Sequence, residues 1–162
     1  MKYTCFEELP VWQDAIELAV QIFDLTSRPE FKGYYSLKDQ LERAGVSVSN
    51  NIAEGFERGS TQETLTFLYI SKGSSGEVRS LTYLLERLQS FQSLLNQILN
   101  IRARSTKISR QLSGWCSSLQ NTDIRGQRYL TDKSRQLAEA KKDREERQKE
   151  WEQYRWKGKD SG

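Results

Sequence analysis

The chain has 162 residues, of which 36% are apolar and 29% are charged, and its formal net charge is +3. It contains no histidine, so the commonest general base and the commonest metal ligand are missing, and Cys5 and Cys116 leave a zinc site only unusual ligands. An all-carboxylate magnesium site stays open. Because there is no glycine-rich phosphate loop and no nucleophile motif, the sequence predicts a protein that is not an enzyme and has no cofactor or metal.

No stretch of the sequence approaches the roughly 18 consecutive apolar residues that a membrane span needs. Two cysteines far apart in the chain are compatible with a reducing compartment. We therefore expect a cytoplasmic protein that does not associate with a membrane.

The first predicted helix begins near Pro10 and ends at Ser27. Proline is tolerated in the first turn of a helix, where its missing N–H needs no partner, and the residue before Pro29 disfavours helix. Between these limits, apolar residues recur at helical spacing. They are Val11, Ala15, Leu18, Ile22 and Leu25.

The second predicted helix begins at Ser36, where Asp39 three residues later makes a variant of the capping box. Glycine is the preferred residue just beyond a helix C-terminus, so Gly55 and Gly59 are predicted to end this helix. Its apolar stripe consists of Leu37, Leu41, Ala44, Val48 and Ile52.

The third predicted helix begins with a full capping box from Ser60 to Glu63. Gly73 and Gly76 lie inside it, although each costs about 1 kcal/mol relative to alanine. These glycines predict close approach of another helix, and a local kink or break is the alternative. The predicted buried side consists of Leu65, Leu68, Tyr69, Val78, Leu81, Leu84, Leu85 and Leu88.

A turn near Gln89–Phe91 leads to a fourth predicted helix, whose apolar residues run from Leu94 to Leu119. Four helices with short connections predict an all-α fold, an antiparallel up-and-down four-helix bundle over residues 1–121. Residues 122–162 are predicted to form a charged, largely solvated helical extension. They have almost no apolar stripe, and their charges pair at i,i+4 spacing, as in Arg135 with Glu139.

Polar residues share one face of the second predicted helix. In the third helix, Glu77 falls in line with apolar residues, so its carboxylate occupies a core-like position. A buried charge is costly unless it is paired, and Arg43 is its predicted partner. We interpret these residues as a structural polar network, either inside the chain or between subunits, and binding of a ligand or metal is the alternative. The network comprises Gln40, Arg43, Ser47, Asn51, Glu54 and Glu77.

The predicted fourth helix contains a basic run without an acidic residue, which consists of Arg102, Arg104, Lys107 and Arg110. Residues 1–121 carry 13 basic and 13 acidic residues, so this run is a local excess in a neutral bundle. The four side chains are the predicted contacts to nucleic-acid phosphates, and an ordinary solvated helix face is the alternative. Assembly into a ring would multiply their charge.

Several segments resemble a family of bacterial four-helix-bundle proteins. These segments are Phe6–Gln13, Gln40–Ala44 followed by Ser47, Asn51–Gly55, and Gly73–Glu77. The family includes proteins encoded in intervening sequences of large-subunit ribosomal RNA genes and the Avd-type accessory proteins of diversity-generating retroelements. The resemblance implies an antiparallel bundle that assembles as a ring, a homopentamer in the retroelement branch. It also implies binding to nucleic acid and, in that branch, to a reverse transcriptase.

The sequence therefore supports two hypotheses about function. The first is a non-enzymatic, oligomeric protein that binds RNA or DNA and serves a diversity-generating retroelement as an accessory factor of its reverse transcriptase. The second is a protein-interaction scaffold that binds protein partners through the polar stripe and the C-terminal extension, without binding nucleic acid.

Overall fold

The structure is a computed structural model that describes residues 3–121 and the three residues 144, 147 and 148. The chain divides into two units, Met1–Gly126 and Gln127–Gly162, and the fold described below belongs to the first. The predicted helical extension and its charge pairs fall on residues outside this description. The domain boundary at residue 121 stays a prediction.

Residues 3–121 fold into four α-helices and contain no β-strand, which confirms the predicted all-α fold. The helices are α1 (Pro10–Thr26), α2 (Tyr35–Glu57), α3 (Thr61–Arg87) and α4 (Leu95–Gln120). Short 3₁₀ segments precede α1, connect α1 to α2 and connect α3 to α4. They are Phe6–Glu8, Pro29–Phe31 and Gln89–Leu94.

Two of the predicted helix starts are confirmed, and one is wrong. Pro10 occupies the first turn of α1. At the start of α3, Ser60 Oγ accepts a 3.3 Å hydrogen bond from the Glu63 backbone N–H and lies 2.6 Å from Glu63 Oε2. By contrast, α2 begins at Tyr35 with no side-chain cap, so Ser36 lies inside its first turn.

Each helix packs against two neighbours, so that α1, α2, α3 and α4 follow one another around the core. Across α2 and α3, Ser47 Oγ lies 2.9 Å from Ser74 Oγ, and Val48 O accepts a 2.8 Å bond from Ser71 Oγ. Along this contact, residue numbers rise on α2 while they fall on α3, and the antiparallel order of the whole bundle stays a prediction. All four helices supply fully buried side chains to the core, such as Leu18, Leu41, Leu68 and Ile108.

Close helix packing uses glycines other than the predicted pair. A Cβ at Gly55 would lie 2.9 Å from Phe67 Cβ, and one at Gly45 would lie 2.7 Å from Ile22 Cδ1. Gly55 therefore lets α3 approach α2, and its predicted role in ending α2 is wrong. A Cβ at Gly73 would meet no atom within 4 Å, and α3 runs through this position without a break. The predicted close approach at Gly73 and Gly76 therefore does not occur among residues 3–121.

The buried side of α3 also differs from the prediction. Ser71, Ser75 and Thr82 are completely buried, whereas Tyr69 and Leu84, both predicted in the core, are each 47% exposed. Small side chains on the inner face let the neighbouring helices come close. Their hydroxyl groups form hydrogen bonds to other oxygen atoms of the protein, so burying them costs little free energy. Leu65, Leu68, Val78 and Leu85 are buried as predicted, so the error concerns Tyr69 and Leu84, which the spacing of large apolar residues had also placed inward.

Candidate assembly surface and nucleic-acid interface

The predicted polar network does not form as an internal network. Gln40, Arg43 and Glu54 are exposed. Arg43 Nη2 lies 3.0 Å from Asp39 Oδ2 on the same helix, and Glu54 forms an ion pair with Arg58, also at i,i+4 spacing. Most of the stripe therefore lies on the outer surface of α2.

Two members of the stripe are partly buried. Asn51 Nδ2 donates to the Ser47 carbonyl oxygen at 2.7 Å and to Ser47 Oγ at 3.0 Å. Ser47 Oγ also lies 2.9 Å from Ser74 Oγ, which makes it the member of the stripe that reaches α3. The local network is therefore small, neutral and confined to three side chains.

Glu77 is exposed, so its predicted place in the core is wrong. The inner face of α3 follows Ser71, Ser75 and Val78, and the position of Glu77 points to the other side of the helix. The predicted Arg43–Glu77 ion pair is absent from the part of the chain that the structure describes. Because Ser47 meets Ser74, one further turn along each helix nevertheless brings Arg43 level with Glu77 on the surface.

Apolar side chains lie on either side of Glu77. Ile70 is 46% exposed and Leu84 is 47% exposed, each seven residues from Glu77 and therefore on the same face of α3. Gly73 lies between Ile70 and Glu77 and faces open space. We name this surface the α3 outer face and define it by Ile70, Gly73, Glu77 and Leu84.

A second exposed apolar surface lies on α1. Val20 is 49% exposed and Phe23 is 48% exposed, and their spacing of three residues places them on one side of the helix. We name this pair the α1 patch. The α1 patch and the α3 outer face thus lie on two helices that are not consecutive in the sequence.

Arg102, the first residue of the predicted basic run, is already bound within the bundle. Its Nη2 lies 2.6 Å from Glu86 Oε2 and donates to the Thr82 carbonyl oxygen at 2.9 Å. Its guanidinium carbon lies 3.8 Å from the centre of the Tyr83 ring, an arrangement typical of a cation–π contact. Only 14% of its side chain is exposed, so the prediction of Arg102 as a phosphate contact is corrected to a link between α3 and α4.

Asp14 forms ion pairs with the next two basic residues. Arg104 Nη1 lies 3.2 Å from Asp14 Oδ1, and Lys107 Nζ lies 2.7 Å from Asp14 Oδ2. Gln111 Nε2 donates to the same carboxylate at 3.1 Å, and Arg104 Nε donates to Gln21 Oε1 at 3.3 Å. The run itself contains no acidic residue, but in the folded structure Asp14 of α1 lies beside it. Asp14 precedes Arg104 by 90 residues, so no local signal could have revealed it.

Arg110 is exposed and belongs to none of the ion pairs that the described residues form. Lys107 retains 61% exposure of its side chain despite its contact with Asp14. The four predicted phosphate contacts therefore do not form a single surface. Arg102 faces α3, Arg104 faces α1, and only Lys107 and Arg110 present charge to solvent.

Two basic residues that the sequence analysis did not select lie on α3. Lys72 and Arg79 are partly buried, and neither has an ion-pair partner among residues 3–121. They are isolated in the sequence, so a search for basic runs could not find them. In the same part of the chain, no three side chains of the His, Cys, Asp or Glu type converge on a possible metal site.

The fold places this protein in the class of all-α four-helix-bundle proteins. The chain belongs to the family of 23S rRNA-intervening sequence proteins, whose sequence model matches residues 7–114. This match confirms the family resemblance that the segments of α2 and α3 had indicated. Its extension to the retroelement accessory proteins stays a prediction.

A crystal structure at 1.70 Å of a protein of unknown function, from the S23 ribosomal protein family of Bacteroides thetaiotaomicron VPI-5482, has a similar fold. The two proteins are 24% identical, with a TM-score of 0.58 over 65% of this chain and 97% of that chain. This likeness shows the fold alone. No curated protein matches the chain. None of the helices in the described part is long and apolar enough to cross a membrane.

Proposed function

We propose that this protein acts by binding rather than by catalysis, as a ring-shaped homopentamer that binds nucleic acid. The observation that carries the proposal is the orientation of α3. This helix buries Ser71, Ser75 and Thr82 and leaves Ile70 and Leu84 nearly half exposed. A second copy of the chain would cover these apolar side chains and so remove their surface from water.

A ring needs two different surfaces on each subunit, because every subunit contacts its two neighbours through opposite sides. The α3 outer face and the α1 patch supply two such surfaces. In the proposed ring, the α3 outer face of one subunit packs against the α1 patch of the next. Gly73 would then provide a close approach to the neighbouring subunit, because residues 3–121 place no atom against it.

The binding of nucleic acid rests on the family and on charge. The family name refers to intervening sequences of 23S ribosomal RNA. Lys107 and Arg110 place positive charge on the exposed surface of α4, and five copies would place it around the ring. Among partners, a reverse transcriptase is the first to test, because the sequence resembles accessory proteins of diversity-generating retroelements.

Assembly is tested by mass photometry of the full chain at micromolar concentration, where we expect five subunits. The double variant Ile70→Ser/Leu84→Ser should dissociate the ring while its helical circular dichroism stays unchanged. The matched control Tyr35→Ser/Leu99→Ser also removes two exposed apolar side chains, but from outside both proposed surfaces, and should stay pentameric. A monomeric parent protein would refute the ring.

Nucleic-acid binding is tested by fluorescence anisotropy with structured RNA and with DNA over a salt series. Neutralised phosphates release counterions, so affinity should fall steeply as salt rises. Backbone contacts carry no sequence information, so unrelated sequences should bind equally well. No binding to any nucleic acid at low salt would refute this function and favour the protein-interaction scaffold.

A further inference from the structure

We infer that single-stranded nucleic acid binds in the groove between α3 and α4, where Lys72, Arg79 and Arg110 contact its phosphates and Tyr69 and Tyr83 stack on its bases. This inference rests on the proposed nucleic-acid function. It specifies which surface carries that function and which form of nucleic acid the surface recognises.

Two contacts between α3 and α4 define the ends of the groove. At one end, the Arg102 guanidinium carbon lies 3.8 Å from the centre of the Tyr83 ring. At the other end, Gln120 Nε2 donates a 2.9 Å hydrogen bond to Tyr69 Oη. The inner wall between these ends is closed by Ser75 and Ser105, whose hydroxyl groups lie 3.0 Å apart.

Helical spacing places the basic residues along this groove. On α3, Gly76 and Arg79 precede Tyr83 by seven and four residues and so share its side of the helix, and a Cβ at Gly76 would lie 3.9 Å from Arg79 Nη2. Lys72 precedes Gly76 by a further turn. Its ammonium group is close enough to the Cys116 thiol of α4 to lower the pKa of that thiol, against a larger rise caused by burial. Lys72 therefore lies beside α4.

The opposite wall of the groove belongs to α4. Thr106 and Arg110 follow Arg102 by one and two helical turns, so they continue along the side that meets α3. Thr106 is small, and its hydroxyl group is satisfied by the Arg102 carbonyl oxygen at 2.8 Å. Together with Gly76 on α3, it leaves room for a ligand backbone between the basic side chains.

The three basic residues assigned to the groove keep their positive charge. Lys72, Arg79 and Arg110 form no ion pair among residues 3–121. No acidic residue occurs in Leu95–Gln120, and on α3 after Tyr69 the acids are Glu77, on the outer face, and Glu86, which is paired with Arg102 at the Tyr83 end. This separates the groove from the α1 side of α4, where Asp14 binds both Arg104 and Lys107.

The tyrosines indicate single strands rather than duplex. Tyr69 and Tyr83 are 47% and 50% exposed, and their separation of 14 residues corresponds to about 21 Å along α3. Sites for single strands combine a basic groove with aromatic rings on which unpaired bases stack. In a duplex the faces of the bases are already stacked on one another, so these rings would have nothing to bind.

The test uses the full chain and a fluorescein-labelled oligouridylate of about 20 nucleotides, long enough to fill one site. The variant Lys72→Gln/Arg79→Gln/Arg110→Gln should weaken binding by about tenfold or more and flatten the salt slope by about 2, or about 0.7 for each lost contact. The control Arg28→Gln/Lys32→Gln/Lys38→Gln removes the same charge near the α1–α2 connection and should bind within about twofold of the parent. Mass photometry and circular dichroism check that both variants assemble and fold.

A second variant, Tyr69→Leu/Tyr83→Leu, keeps the charges and the apolar volume. It should lose the preference for the oligouridylate over a duplex of equal length. If the parent binds no nucleic acid, the proposed function itself fails. If the parent binds but the groove variant binds equally well, the function stands and the groove is wrong. If duplex binds as tightly as single strands, or the tyrosine variant keeps the preference, the single-strand assignment is overturned.

Discussion

Ser75 of α3 and Ser105 of α4 exchange hydrogen bonds across the interior of the bundle. Ser75 Oγ donates to the Ser105 carbonyl oxygen at 2.9 Å, and Ser105 Oγ donates to the Ser75 carbonyl oxygen at 2.6 Å. Both residues are completely buried. The exchange satisfies two polar side chains at once and holds the two backbones close together. It also shows how α3 can bury serines on the face where it meets α4.

The first prediction concerns this pair. Ser75→Ala removes one buried hydrogen bond and should lower the free energy of unfolding by about 1 kcal/mol. Ser75→Leu should cost more, about 1–3 kcal/mol for overpacking in addition to the lost bond, because the side chain has no room between α3 and α4. Urea denaturation measures both changes. A Ser75→Leu variant as stable as the parent would show that the two helices are not closely packed there.

The second prediction compares two glycines in helices. A Cβ at Gly55 would lie 3.3 Å from the Thr64 carbonyl oxygen as well as 2.9 Å from Phe67 Cβ, so Gly55→Ala should destabilise the bundle. A Cβ at Gly114 would meet no atom within 4 Å, so Gly114→Ala should stabilise α4 by up to about 1 kcal/mol. Thermal unfolding of the two variants should shift in opposite directions. Equal shifts would contradict the packing described for Gly55.

The third prediction concerns Asp14. Only 12% of its side chain is exposed, and it accepts contacts from Arg104, Lys107 and Gln111. Asp14→Asn should lower the free energy of unfolding by about 1.5–3 kcal/mol, the range for hydrogen bonds to charged groups. Because the cluster lies on the α1 side of α4, outside the proposed groove, the salt slope of oligouridylate binding should stay unchanged. Unchanged stability in urea would show that the Asp14 cluster does not hold α1 to α4.

The fourth prediction concerns the two cysteines. Burial raises the pKa of the Cys116 thiol, which leaves little of the reactive thiolate at neutral pH. Cys5 is only partly buried. In the folded protein, a chromogenic disulfide reagent should therefore label Cys5 first and Cys116 slowly. The Cys5→Ser variant should show the slow phase alone, and rapid labelling of that variant would mean that Cys116 is accessible.

Local patterns were sufficient to predict the helices and most of their ends. Proline at residue 10 and the Ser60–Glu63 capping box act through nearby backbone groups, so their effects can be read from a few residues. The apolar stripe of α1 was also predicted correctly from local spacing. Ala15, Leu18 and Ile22 are all fully buried, and no competing face of α1 is as apolar.

The sequence by itself therefore determined the fold class, the helix count over residues 3–121 and the family. The burial of the small polar residues of α3 was decided only by tertiary structure, because it depends on how closely Ser71 and Ser75 let the neighbouring helices approach. Tertiary structure likewise decided which basic side chains are paired and which remain for binding. Arg102 and Arg104 are neutralised by Glu86 and Asp14 from other helices, while Lys72 and Arg79, isolated in sequence, join Arg110 along one groove. Helix periodicity reports spacing along one chain segment, whereas the surface that remains for binding depends on which side chains from distant segments meet.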